Sequence, residues 1–166
     1  DMIDYAIAKG CTGTKMRSIV KTSEIINAIL DQQFELATVI HAAGLMPIIE
    51  PEVPIDHEMK FMLEEMVVRG IHDRLDKFNG KCILKLTLPE TPNLYLNLSQ
   101  HEKVHKVVGL SGGYSTVEAC NKLVLQENVT ASFSRALSEG LLVSQSDEDF
   151  NNRLSQNIKA ITKASE

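Results

Sequence analysis

Short apolar runs ending in charged or glycine-rich clusters recur along this chain at a near-constant pitch, with amphipathic stretches between them. From Lys15 to Glu50 is 35 residues, from Glu50 to Lys85 is 35, from Lys85 to Ser111 is 26, and from Ser111 to Arg135 is 24. Strands separated by helices at such distances are joined by crossovers, and crossover connections make parallel sheets. The pitch suits successive units of a TIM (β/α)8 barrel, whose full length is about 250 residues. The expected fold is therefore α/β, a partial barrel with about five βα units. Residues 1–166 would form the C-terminal part of a single barrel domain whose first strands precede this chain. The opening Asp1-Met2-Ile3-Asp4-Tyr5 reads as the interior of a helix, in keeping with a fragment. Five strands leave two unpaired edges, so the barrel is not expected to close within these residues. No glycine-rich fingerprint follows an early strand, which makes a dinucleotide-binding sheet a poorer fit.

The elements can be placed from periodicity. A first strand surrounds Gly13–Arg17. A helix over about 23–43 carries Ile25, Ile26, Ile29, Leu30, Phe34 and Ala37 at helical spacing, with Gly44 as its stop. The second strand is Leu45–Glu52. Asp56 is the expected N-cap of a helix with Met59, Met62, Leu63, Met66 and Val67 on one stripe. Cys82–Leu88 is the third strand, and a short helix is expected near Asn93–Leu98. Val107–Leu110 is the fourth strand, and Ser115-Thr116-Val117-Glu118 reads as a capping box. Val129–Phe133 is the fifth, and Ser146 caps a terminal helix running through Phe150, Leu154, Ile158 and Ile161.

Composition restricts the partners. The formal net charge is -5, which argues against nucleic acid or an anionic membrane surface. A small anionic substrate remains compatible, since a basic pocket fits within an acidic protein. Cys11, Cys82 and Cys120 are odd in number and widely spaced, so neither a disulfide framework nor a zinc site is expected, and a cytoplasmic location is. No apolar run approaches the ~18 residues of a membrane span.

The strand ends carry the chemistry. Alternation puts Leu84, Leu86 and Leu88 on one face of the third strand and Ile83, Lys85 and Thr87 on the other. The leucines would meet helices, which turns Lys85 to the barrel interior. Partial burial disfavours an ammonium, and a neutral amine is what imine chemistry requires; the alternative is a solvated charge on an edge strand. Glu50 and Glu52, two residues apart, share a face and can divide acid and base roles, or simply end a strand in solvent. Lys15 and Arg17 repeat the pattern with positive charge and are placed to pair with them across the barrel mouth. Ser111-Gly112-Gly113 follows a strand and lets backbone N–H groups converge on an oxyanion, with Arg135 adding donors from the next strand end. A tight turn is the plainer reading of the glycine pair. The five histidines, His41, His57, His72, His101 and His105, lack a ligand pattern and are read as structural or surface residues, so no metal is expected.

Together these segments resemble the class I fructose-bisphosphate aldolases, in particular the short bacterial-type branch. The matching stretches are Gly13-Thr14-Lys15-Met16-Arg17-Ser18, Pro47-Ile48-Ile49-Glu50-Pro51-Glu52-Val53, Leu84-Lys85-Leu86-Thr87, Leu110-Ser111-Gly112-Gly113-Tyr114-Ser115 and Ala131-Ser132-Phe133-Ser134-Arg135-Ala136-Leu137. They occur in family order over essentially the whole chain. The resemblance implies that Lys85 forms an iminium with a ketose, without metal or other cofactor, and that Glu50 is the acid/base glutamate. It gives Glu52 the place of a second carboxylate, and Lys15 and Arg17 that of a basic pair contacting substrate. Ser111, Gly112, Gly113 and Arg135 would bind the phosphate next to the ketone. Ser134 stands where many relatives have glycine, which puts a backbone contact there in doubt. An aspartate of the first barrel strand and a lysine of the third, both part of the family's site, lie outside this chain. Sugar phosphates are the implied partners, and homo-oligomer formation by the full-length protein is left open. Two other readings stand beside this one: another imine-forming barrel such as a transaldolase, and a truncated, non-catalytic form that binds a sugar phosphate or a partner.

Overall fold

The structure, a computed structural model, describes residues 2–166. After helix α1 (Met2–Ala8), strands β1 (Gly13–Ile19), β2 (Met46–Glu52), β3 (Cys82–Thr87), β4 (Val104–Leu110) and β5 (Val129–Ala131) alternate with helices. These are α2 (Ile26–Ala42, entered through a 3-10 turn at Ser23–Ile25), α3 (Lys60–Leu75), α4 (Leu96–Ser99), α5 (Thr116–Leu123) and α6 (Asp147–Ala164). All four strand pairings are parallel, and the order in the sheet is the order in the chain, β1-β2-β3-β4-β5. This is a run of βα units in an open partial barrel, with β1 and β5 as its two edges among the described residues.

The core lies between the sheet and the helices. Ile49, Leu84, Leu86, Val107 and Val129 project from the sheet's outer face onto Leu30, Phe34, Leu63, Val67 and Ile71 of α2 and α3. The leucine face of β3 is sealed, with Leu84, Leu86 and Leu88 at 0–1% exposure. Full burial of such side chains stabilises by roughly 1.5–3 kcal/mol each. Packing the leucines against the helix layer fixes which way the alternate residues of β3 must point.

Local signals explain several ends. Gly44 closes α2 in the left-handed region, at φ +84. Ser115 and Glu118 form the expected capping box, and Ser146 accepts from the backbone N–H of Asp149. Asp56 does not cap α3: residues 54–59 form a turn, the helix starts at Lys60, and its N-cap is Met59 with no side-chain bond. The apolar stripe also differs from the methionine pattern. Met59 and Met66 are exposed, while Lys60, Leu63, Glu64, Val67 and Ile71 are buried. In α6 the apolar Phe150 and Ile158 face outward, and Asn157 and Ala164 are the buried positions. Strand β4 starts three residues earlier than periodicity suggests, at Val104, and β5 ends at Ala131 rather than Phe133.

Candidate active site

Parallel pairing brings the C-terminal strand ends to one rim. The register aligns Lys15 with Ile48 and Arg17 with Glu50, all on the inner face. Each basic side chain then reaches one step further along β2. Lys15 Nζ lies 2.5 Å from Glu50 Oε2, and Arg17 Nε donates to Glu52 Oε2 at 2.6 Å. The hydrogen bond and field of Glu52 hold the Arg17 guanidinium above its ordinary value.

Lys85 approaches the same carboxylate from the other side, its Nζ 3.8 Å from Glu50 Oε1. Glu50 is thus a buried acid shared by two lysines. Its side chain is 4% exposed, against 17% for Lys85 and 40% for Lys15. A buried carboxylate needs compensating charge, and here it has a cation at each oxygen.

The backbone around this triad is held by side chains. The β2–β3 ladder pairs only Ile48 with Ile83 and Ile49 with Leu84, so the strands separate where Glu50 and Lys85 begin. Beyond the gap Thr87, on the Lys85 face, re-joins them. Its Oγ1 accepts from Val53 N–H at 3.0 Å and donates to Val53 C=O at 2.8 Å. The buried amide oxygen of Gln33, on α2, accepts the Glu50 N–H at 2.9 Å. Tyr95 O–H donates to the carbonyl of Thr87 at 2.5 Å.

On the far side, Ser111 is buried and Gly112 and Gly113 both have positive φ, +61 and +120. A Cβ on Gly112 would stand 2.5 Å from Cγ2 of Ile55, so the loop is both turned left-handed and pressed against the β2–α3 connection. The guanidinium of Arg135 lies beside Gly113, within 3.5 Å of where a Cβ would be. Lys15, Arg17, Glu50, Glu52, Lys85, Ser111, Gly112, Ser134 and Arg135 all border one cleft of about 460 Å³, with Leu110 and Ser132. Every sequence-predicted site residue but Gly113 is on that list, and Gly113 adjoins it through Arg135. A larger opening of about 650 Å³ lies at the opposite end, by the start of β5 and the end of α6, and none of the predicted residues borders it. In barrels of this kind chemistry sits at the C-terminal strand ends, and the smaller cleft is the one there.

Sequence reading missed the supports: Gln33, the clamping role of Thr87, and an ion cluster beneath the rim. Lys60 is 4% exposed, and its ammonium meets Glu64 Oε1 at 2.5 Å, Leu88 C=O at 2.9 Å and Glu90 Oε1 at 3.1 Å. Among the described residues no group of three His, Cys, Asp or Glu side chains is gathered to hold a metal ion. Nor is any helix long and apolar enough to cross a membrane.

Comparison with known proteins gives one direction. No family model matches the chain. Over 161 residues it is 50% identical to a Synechocystis protein named fructose-bisphosphate aldolase class 1, covering 95% of this chain and 54% of that protein. Proteins of the same name from Clostridium acetobutylicum and Porphyromonas gingivalis are 45% and 40% identical over 99% of this chain, and 57% of each is covered. The chain thus spans a little over half the length of these curated relatives. A solved Plasmodium falciparum fructose-bisphosphate aldolase, in complex with TRAP and a small-molecule inhibitor, superposes with a TM-score of 0.80. At 20% identity, over 99% of this chain and 60% of that one, it supports the fold alone.

Proposed function

From the premise that this chain belongs to the class 1 fructose-bisphosphate aldolases, we propose that it is the C-terminal, Schiff-base-bearing part of such an enzyme's barrel. The full-length protein would reversibly cleave fructose 1,6-bisphosphate to dihydroxyacetone phosphate and glyceraldehyde 3-phosphate. The observation that carries the reading is the shared carboxylate: Glu50 buried between Lys15 and Lys85, the latter 3.8 Å away, in a cleft that ends in Ser111, Gly112 and Arg135.

In this mechanism the neutral amine of Lys85 adds to the C2 ketone, forming a C–N bond and a carbinolamine. Glu50, within reach of that nitrogen, takes up the proton the lysine sheds in becoming a neutral amine and returns it to the carbinolamine hydroxyl, which departs as water and leaves an iminium. A base takes the C4 hydroxyl proton, and the C3–C4 electron pair flows into the iminium to give an enamine. Glyceraldehyde 3-phosphate leaves. Protonation of the enamine at C3 and hydrolysis of the imine release dihydroxyacetone phosphate and restore the amine. Arg17 pairs with Glu52 at the rim. The Ser111–Gly113 backbone, Ser134 and Arg135 bind the phosphate next to the ketone. Because the iminium itself draws electrons from the C3–C4 bond, the chemistry requires no metal for that purpose. The free cysteines suit a reducing cytoplasm.

Borohydride trapping tests this. The full-length enzyme is incubated with dihydroxyacetone phosphate, reduced and digested, and the adduct is located by mass spectrometry. An adduct on Lys85 is expected. Its absence, or its placement on another lysine, overturns the assignment.

A further inference from the structure

The Lys60 cluster has no part in that mechanism, yet it spans two segments that have. Glu90 lies just past the exit of β3, the strand of Lys85. Tyr114 follows Gly113 directly. Glu90 joins them: its backbone N–H donates to Glu64 Oε2 at 3.1 Å, and its Oε1 accepts from Lys60 at 3.1 Å and from Tyr114 O–H at 3.1 Å. Lys122, on α5, meets the other oxygen at 3.0 Å and stands 5.0 Å above the Tyr114 ring. At the root, Lys60 also holds the carbonyl of Leu88, three residues beyond Lys85. Burial works against ionisation of Glu90, but hydrogen bonds from Lys122 and Lys60 and the charge of Lys60 outweigh it and hold the carboxyl at about 2. The anion is therefore present at any working pH.

Resting on the proposed function, we infer that Lys60, Glu90 and Tyr114 form a strut that sets the distance from Lys85 to the Ser111–Gly113 loop, and so select ketones with a phosphate on the adjacent carbon. They are positioning residues. The strut couples the strand that supplies the nucleophile to the loop that receives the anion, and an error in that span penalises only a substrate that must reach both ends.

The test compares two ketones on the full-length enzyme. Half-saturating concentrations for the Lys85 adduct are measured with dihydroxyacetone phosphate and with phosphate-free dihydroxyacetone. Tyr114→Phe keeps the ring and removes the hydroxyl that meets Glu90. We expect half-saturation by the phosphorylated ketone to rise about 5- to 20-fold, as for a lost charge-assisted hydrogen bond, with trapping by dihydroxyacetone unchanged. Equal shifts for both ketones, or no shift for either, would overturn the strut. A general packing role would lower the melting temperature and leave the ratio between the ketones alone, and it too would overturn it. Should Tyr114→Phe not fold, Lys122→Gln disturbs the same carboxylate from the surface, and the ratio is expected to move in the same direction; an unmoved ratio counts against the inference. If the unaltered enzyme gives no Lys85 adduct with either ketone, it is the proposed function that falls, whatever the variants do.

Discussion

Replacing Thr87 by valine keeps its shape and deletes the oxygen that closes β2 onto β3 past the Glu50–Lys85 gap. Thr87 is 2% exposed and so is Val53, so water cannot replace the lost partner. Both backbone groups of Val53 would be left unsatisfied, since the N–H donates to that oxygen and the C=O accepts from it. A buried polar group without a partner costs about 1–3 kcal/mol. Two such groups, offset in part by the added methyl, give an expected loss of about 2–4 kcal/mol. Thr87→Ser keeps the oxygen and loses only a methyl, for about 1 kcal/mol. The assay is denaturant unfolding of the full-length enzyme, read as a midpoint shift at constant slope. The Thr87→Val protein should also form the Lys85 imine more slowly, because nothing else in the ladder restores the β2–β3 spacing beyond Ile49 and Leu84. A loss for Thr87→Val no larger than that for Thr87→Ser would show that the hydroxyl clamp contributes no more here than one methyl group, and would refute the reasoning.

Glu50→Gln should slow formation of the Lys85 adduct by about 10²- to 10⁴-fold, the usual worth of a placed acid or base, when followed by rapid quench with borohydride. A rate within a few-fold of the unaltered enzyme would remove Glu50 from the proton transfers. The folded protein holds Glu90 at about 2, below its ordinary 4.5. A depressed carboxyl stabilises the fold above the unfolded value and loses that contribution as pH falls from about 4.5 towards 2. Glu90→Gln should flatten the acid limb of stability in that window, measured as the unfolding midpoint against pH; identical limbs would refute the linkage.

What the sequence made legible follows from what patterns record. Alternation in Cys82–Leu88 assigned the two faces of β3, because a leucine row leaves Lys85 only the other side. The regular pitch located Glu50 and Lys85 on successive strand ends, and parallel register then brought Lys15 to Glu50 and Arg17 to Glu52. Ser115 and Ser146 were readable because a cap is a local bond, made within three residues. Lys60 and Glu64 were not, since a periodicity of apolar residues passes over buried charges whose partner at Glu90 lies some 30 residues on. Gln33 likewise looks like any polar helix residue until the strand it faces is in place. Asp56 failed as a cap because the chain turns once more before α3 begins, and cap chemistry alone does not fix where a helix starts.

The alternation of Lys15, Glu50 and Lys85 has a consequence for the charge inventory of the cleft. Lys15, Arg17, Lys85 and Arg135 face Glu50 and Glu52 there, an excess of two positive charges on a chain whose net charge is -5. An anionic sugar phosphate would thus be drawn to one small region of an otherwise repelling surface. The iminium of the proposed reaction carries the same single positive charge as the ammonium it replaces, at the same nitrogen. The Glu50 carboxylate, 3.8 Å from the Lys85 nitrogen, therefore already faces the cationic intermediate, and little reorganisation is required when it forms.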